Sequence, residues 1–256
     1  DAWVEANTLN YPTRALDNAS VHPRLVALAG SNDLLLEKTV ALFNRSFPDF
    51  LAVFANLGSM GGLRALRSDL CHIATSHMLQ DDGTDYNFEF ANQECNQVPV
   101  MVNFCRREQG YMLQPGNPKG ISGINDLKKT GIRIVNRSIG TGTRHLFDRE
   151  AKKSGIDPET IAGYHNEVNS HMEVGLEILR GRADMGLGIR PVAGLLGLDF
   201  IPLRWERYDL LIARGRFFDK PVQYFLGILQ ETEFKEIAAS LDGYDIASAG
   251  KMVYPQ

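Results

Sequence analysis

The sequence predicts an α/β fold divided into two lobes. Three observations point to it. Apolar strand-like runs alternate with helical patterns for most of the chain, as in folds with largely parallel sheets. Turns rich in glycine and hydroxyl residues join several of these runs to the helix that follows. Two long apolar segments, around Val98 to Arg106 and Leu203 to Ile212, read as crossings between regions. Two lobes joined by two crossings would enclose a central cleft, with the loops at the strand ends gathered along its edge.

The elements follow in order. Residues 1–22 do not join the pattern and read as a leader or linker. LVALAG, Leu25 to Gly30, is a buried strand, and NDLLLEKTVALFNRSFP is the helix after it, ended by Pro48. FLAVFANLG is the next strand, SMGGLRALRSDL opens the next helix at its glycine-rich turn, and CHIATSHML is a third strand, completing a βαβαβ unit. VPVMVNFCRREQGYML is long enough to run out of one lobe. PGNPKGISGINDLKKTG is punctuated by proline and glycine like a surface turn. A strand IRIVN, a helix GTRHLFDREAKKSGI, a turn and helix EVNSHMEVGLEILRGR and a strand ADMGLGI make the second lobe. LDFIPLRWERYDLLIAR crosses back, and DKPVQYFLGILQETEFKEIAASL closes the chain with helices. The expected division places 23–103 and 205–256 in the first lobe and 104–204 in the second, each with a sheet of its own.

Composition narrows the function. The formal charge of −4 provides no general attraction to nucleic acid or anionic lipid, so any anion bound must be drawn by a local site. No run of about 18 apolar residues occurs, so no membrane span is expected, and DAWVEANTLN lacks the pattern of a signal peptide. Cys71, Cys95 and Cys105 are odd in number and without CxxC spacing, which argues for reduced thiols rather than disulfides or zinc. A cytoplasmic location is expected, with no cofactor and no metal. No serine lies in GxSxG and no cysteine has a credible histidine partner, so no enzymatic activity is expected.

The stretch NRSIGTGTR, Asn136 to Arg144, joins a strand to a helix. A helix N-terminus offers unpaired backbone N–H groups and a partial positive charge, which together favour an anion. Gly140 and Gly142 let the backbone approach a ligand, while Ser138, Thr141 and Thr143 add hydroxyls. Capping alone would explain one such turn. AGSND, with Ser31 and Asn32, and LGSMGG, with Ser59 and Met60, repeat the arrangement in the other lobe, and convergence is not a property of caps. His77 at a strand end, and Asn169 and His171 before a helix, complete the candidate set. Of Arg137 and Arg144, one is expected in the cleft and the other in a surface ion pair; Arg137 joins the candidates.

The blocks GSNDLLLE, LGSMGGLRALR, RREQGYMLQPGNPKGISGINDL, IRIVNRSIGTGTRHLFD, GRADMGLGI and LDFIPLRWERYDLLI together resemble the periplasmic-binding-protein-like domain of molybdate- and tungstate-responsive bacterial regulators, a domain also fused to some molybdopterin-biosynthesis proteins. The resemblance covers about Leu25 to Ala249. It implies the two-lobed class II periplasmic-binding-protein fold, shared with the LysR substrate-binding domain, and a tetrahedral oxyanion as ligand. DAWVEANTL resembles the last helix of an excisionase-type helix-turn-helix domain, which would place DNA binding in a domain upstream of this chain. The expected function is therefore an oxyanion sensor of a transcriptional regulator, with a homodimer as a further expectation. The alternatives are the solute-binding component of an oxyanion ABC transporter, or an accessory domain of a molybdopterin-biosynthesis protein.

Overall fold

The computed structural model describes residues 23–81, 83 and 85–254. The leader, including the stretch compared with an excisionase helix, lies outside the described residues. The first unit is β1 (Leu25–Gly30), α1 (Leu34–Ser46), β2 (Leu51–Asn56), α2 (Gly58–Arg67) and β3 (Ile73–Ser76), with β1 parallel to both other strands. Helix α1 forms because Asp33 caps it, accepting the Leu36 N–H, and because Leu35, Leu36, Thr39, Leu42 and Phe43 make one buried stripe. It stops at Ser46, two residues short of the proline that would break it.

A short helix α3 (Phe88–Glu94) precedes the first crossing, β4 (Val100–Leu113). Then come β5 (Ile134–Arg137), α4 (Gly142–Lys153), β6 (Glu167–Val168), α5 (His171–Leu179), β7 (Met185–Ile189) and α6 (Arg190–Leu196). The return crossing is β8 (Asp199–Ile212), followed by α7 (Lys220–Ile228), α8 (Thr232–Ala239) and β9 (Tyr244–Asp245). Helices α3 and α6 were not expected from the sequence, although α6 carries the Pro-first, Gly-after signature: Pro191 sits in its first turn and Gly197 caps it at φ +64°.

The strands run in the order β2-β1-β3-β8-β4-β7-β5-β6, with β9 added on β4. Side-chain alternation puts one core on each face of each lobe. Along β4, Val102 and Phe104 join the first-lobe core with Phe43, Phe225 and Phe234, while Met101 joins Leu63, Leu66 and Leu211 on the opposite face. Further on, Tyr111 and Leu113 enter the second-lobe core with Ile134, Phe147 and Leu187, while Met112 joins Val135, Val174 and Ile189. The chain is thus two-lobed, with helices on both faces of the strands in each lobe.

One expectation needs correcting. The sheet does not break between lobes: β4 and β8 pair antiparallel from Val100↔Ile212 to Leu113↔Asp199, interrupted only by irregularities at Asn103/Cys105 and Gln109/Gly110. Both crossings are single 14-residue strands lying side by side, so each supplies the other's backbone partners. Between those irregularities the inward positions turn polar: Arg107, Gln109 and Glu206 are buried there. Among the described residues, no helix is long and apolar enough to cross a membrane.

Candidate functional site

The buried polar stretch of the crossings lies where the strand-end turns meet. Gly30 ends β1 at φ +138°, and a Cβ there would fall 2.3 Å from the Thr75 carbonyl, so only glycine brings the next residue this close to β3. That residue is Ser31. Its N–H donates to Thr75 O at 3.0 Å, and its carbonyl accepts the Thr75 hydroxyl at 2.9 Å and the Tyr208 hydroxyl. With the backbone pinned, Ser31 Oγ lies 2.8 Å from His77 Nε2. His77 Nδ1 lies 3.0 Å from Glu206 Oε2; Glu206 Oε1 accepts Arg107 Nε at 2.6 Å; and Arg107 Nη1 donates to Asp33 Oδ2 at 2.7 Å. Both Arg107 and Asp33 are fully buried.

The second lobe answers with cations and unpartnered atoms. Arg137, at the end of β5, is 1% exposed, and its Nη2 donates to Asn169 O at 3.0 Å. Its Nε and Nη1 are buried without a partner among the described residues, as are Arg107 Nη2, Gln109 Oε1 and both ring nitrogens of His171. His171 opens α5 behind the Ser170 cap. The two sides touch: Met60 N–H donates to Gly140 O at 3.3 Å, Asn56 Nδ2 to Asn169 O at 2.7 Å, and Gln109 Nε2 to Thr143 Oγ1 at 3.1 Å. Gly142 packs so closely that a Cβ there would stand 2.6 Å from His77 Cε1. The site is closed.

Its charges are strongly perturbed. Burial opposes the charge of Arg107, but Glu206 and Asp33 outweigh it and hold the guanidinium firmly protonated. At Arg137 the balance reverses: burial, reinforced by the repulsion of Arg107, outweighs the more distant attraction of Glu173 and Glu206 and pushes it down to about 10. Burial, then Arg137, Arg107 and His77, drive His171 well below the usual histidine range, so it is neutral. Burial likewise lowers His77, with Arg107 and Arg137 adding to the effect and Glu206 opposing it. Burial disfavours the Glu206 carboxylate, yet His77 and Arg107 prevail and keep it ionised. Buried polar atoms are normally hydrogen-bonded, and a buried cation is normally paired. An anion accepting from Arg137, Arg107 and His171 meets both conditions.

The structure brings together Ser31, Ser59, His77, Arg137, Gly140, Gly142, Thr143 and His171. Ser59 Oγ accepts the His77 N–H at 3.4 Å, and Met60 contributes its backbone N–H to the contact between lobes. Others are engaged elsewhere. Asn32 donates to Glu37 Oε1 at 2.5 Å, and Ser138 donates to Val168 O and Asn169 Oδ1. Asn169 accepts there through its side-chain oxygen, and its backbone carbonyl accepts from Arg137 and Asn56. Thr141 is a correction: its hydroxyl donates to Ser138 O at 2.8 Å and accepts the Arg144 N–H at 3.2 Å, so it is the N-cap of α4 and has no proton left for a ligand. Arg144 pairs with Asp148 and Glu167.

Arg107, Gln109 and Glu206 lie outside the residues that the sequence pattern singles out. They sit inside strands read as apolar crossings, and the available signal was the charged run within each, RREQ and RWER. The Ser31–His77–Glu206 line joins residues 46 and 129 positions apart, so no local motif announces it. It has the form of a nucleophile, base and orienting carboxylate, but Arg107 balances Glu206 before any imidazolium forms.

Comparison with known proteins agrees with this architecture. YvgK of Bacillus subtilis (strain 168), an uncharacterized protein, is 30% identical over 197 residues, covering 77% of this chain and 63% of YvgK, so the chain spans under two thirds of that relative's length. Among solved structures, an ABC-type phosphate transport receptor from Vibrio cholerae superposes with a TM-score of 0.56 at 15% identity, over 90% of this chain and 100% of that one. The tungstate ABC transporter structure from Geobacter sulfurreducens gives 0.59 at 12%, over 84% and 98%. At such identities the likeness is one of fold. The profile of the PBP superfamily domain matches residues 40–230, and with the two-lobed fold and its closed polar cleft the chain belongs to that superfamily.

Proposed function

We propose that the chain binds one small tetrahedral oxyanion between its lobes and serves as a solute-capturing component for transport. Arg137 carries the reading: it is a cation 1% exposed, with two buried N–H donors that have no partner among the described residues. A bound oxyanion supplies both the acceptors and the countercharge. Contacts come from both lobes and from the crossings, so only the closed form makes all of them, and ligand shifts the population toward closure.

The solved neighbours named for phosphate and tungstate transport support capture for transport over the transcriptional sensing expected from the sequence. Capture calls for an extracytoplasmic address and sensing for a cytoplasmic one; fractionation of the native protein separates the two. The binding test is thermal denaturation and calorimetry with phosphate, sulfate, molybdate and tungstate. An anion at a hundred times its Kd raises stability by about 2.7 kcal/mol. No shift in melting and no heat with any of the four would refute the reading.

A further inference from the structure

We infer, resting on the oxyanion reading above, that the cleft selects an oxyanion that still carries a proton, such as hydrogen phosphate or a phosphonate monoanion, over sulfate, molybdate and tungstate, which carry none at neutral pH. Glu206 is ionised and can only accept, so its 3.0 Å contact with His77 Nδ1 requires the proton on that nitrogen. His77 is buried beside two arginines and neutral, so Nε2 holds a lone pair. Ser31, 2.8 Å away, must therefore donate its only hydroxyl proton to His77. Its backbone N–H is already given to Thr75 O. What Ser31 offers a ligand is lone pairs: it is an acceptor, although its position after a strand and before a helix suggests a donor.

Two more groups point the same way. Gln109 gives its amide N–H to Thr143, which leaves Oε1 as a buried acceptor with no donor among the described residues. His171, neutral and unpartnered at both nitrogens, brings one donor and one acceptor. Against these stand the donors Arg107 Nη2, Arg137 Nε and Arg137 Nη1. A fully deprotonated oxyanion satisfies the donors but turns its own oxygens on the lone pairs of Ser31 and Gln109. An oxyanion with one O–H satisfies both kinds.

Calorimetry of the full chain at neutral pH with inorganic phosphate, methylphosphonate, sulfate, molybdate and tungstate tests this. Phosphate should bind more tightly than sulfate by roughly tenfold to hundredfold, the worth of one charge-assisted hydrogen bond. Sulfate, molybdate or tungstate binding as tightly as phosphate would overturn the selectivity while leaving oxyanion binding intact. Failure of all five to bind would overturn the oxyanion reading itself. Ser31→Ala should lower the phosphate-to-sulfate ratio toward unity, chiefly through phosphate. Equal weakening of both anions would make Ser31 a structural residue and sink its part in selection.

Discussion

Replacing Arg137 with methionine separates a ligand-binding arginine from a structural one. The guanidinium is almost fully buried, and its fall from the usual arginine range to about 10 corresponds to about 3 kcal/mol by which the folded protein disfavours the charge, at about 1.4 kcal/mol per tenfold change. A methionine of comparable length removes that penalty and loses one hydrogen bond, to Asn169 O. Ligand-free stability should therefore stay level or rise by as much as about 3 kcal/mol, as when buried ions give way to apolar side chains. Binding should suffer. Two N–H donors to an anion are worth about 1.5 to 3 kcal/mol each, so affinity should fall at least a hundredfold. Urea denaturation without ligand, paired with calorimetry, reads both quantities. A variant that unfolds more easily and still binds as the parent does would refute the assignment.

Other outcomes follow from the same geometry. Thr141→Ala should cost about 1 kcal/mol of stability and leave anion affinity nearly unchanged, because the hydroxyl caps α4; a tenfold loss of affinity without loss of stability would contradict this. Gly142→Ala should force the α4 N-terminus off His77, where a Cβ would lie 2.6 Å from Cε1; weakened binding, with small-angle scattering that stays in a more open form at high ligand, is the expected result. His77 and His171 are lowered in the folded protein while their unfolded counterparts protonate near 6.5, so the unfolded state binds more protons below that pH. Stability is then present above about pH 6.5 and falls below it, by up to about 1.4 kcal/mol per pH unit for each histidine. A urea midpoint that does not change between about pH 7.5 and 5.5 would refute this.

Much of the fold could be read along the chain, because alternation and turn chemistry are local. Val26 and Leu28 reveal a strand by their own spacing, and the pattern of α1 needs nothing beyond Asp33 and Pro48. The continuity of the sheet could not be read, since nothing in either crossing states that it will pair with the other. The site divides in the same way. Ser31, Gly142 and the turn that carries His171 were legible because strand-to-helix turns announce themselves, although His171 itself opens the helix instead of preceding it. The roles of the hydroxyls were not: Thr141 and Ser31 occupy equivalent-looking turns, yet one spends its proton on a carbonyl three residues back and the other on an imidazole 46 residues away.

By itself, then, the sequence determined the α/β alternation, the two crossings and the presence of anion-suited turns at strand ends, because these rest on backbone preferences and apolar periodicity within a few residues. Only the tertiary structure decided which polar groups are used up and which remain free. Arg107 is neutralised because Asp33 and Glu206 come to it from distant parts of the chain, while Arg137, a residue of the same kind, keeps two N–H groups without a partner among the described residues. Charge and hydrogen-bond balance belong to a closed volume rather than to a segment, and the ligand a cleft accepts is set by the donors and acceptors left over once that volume has formed.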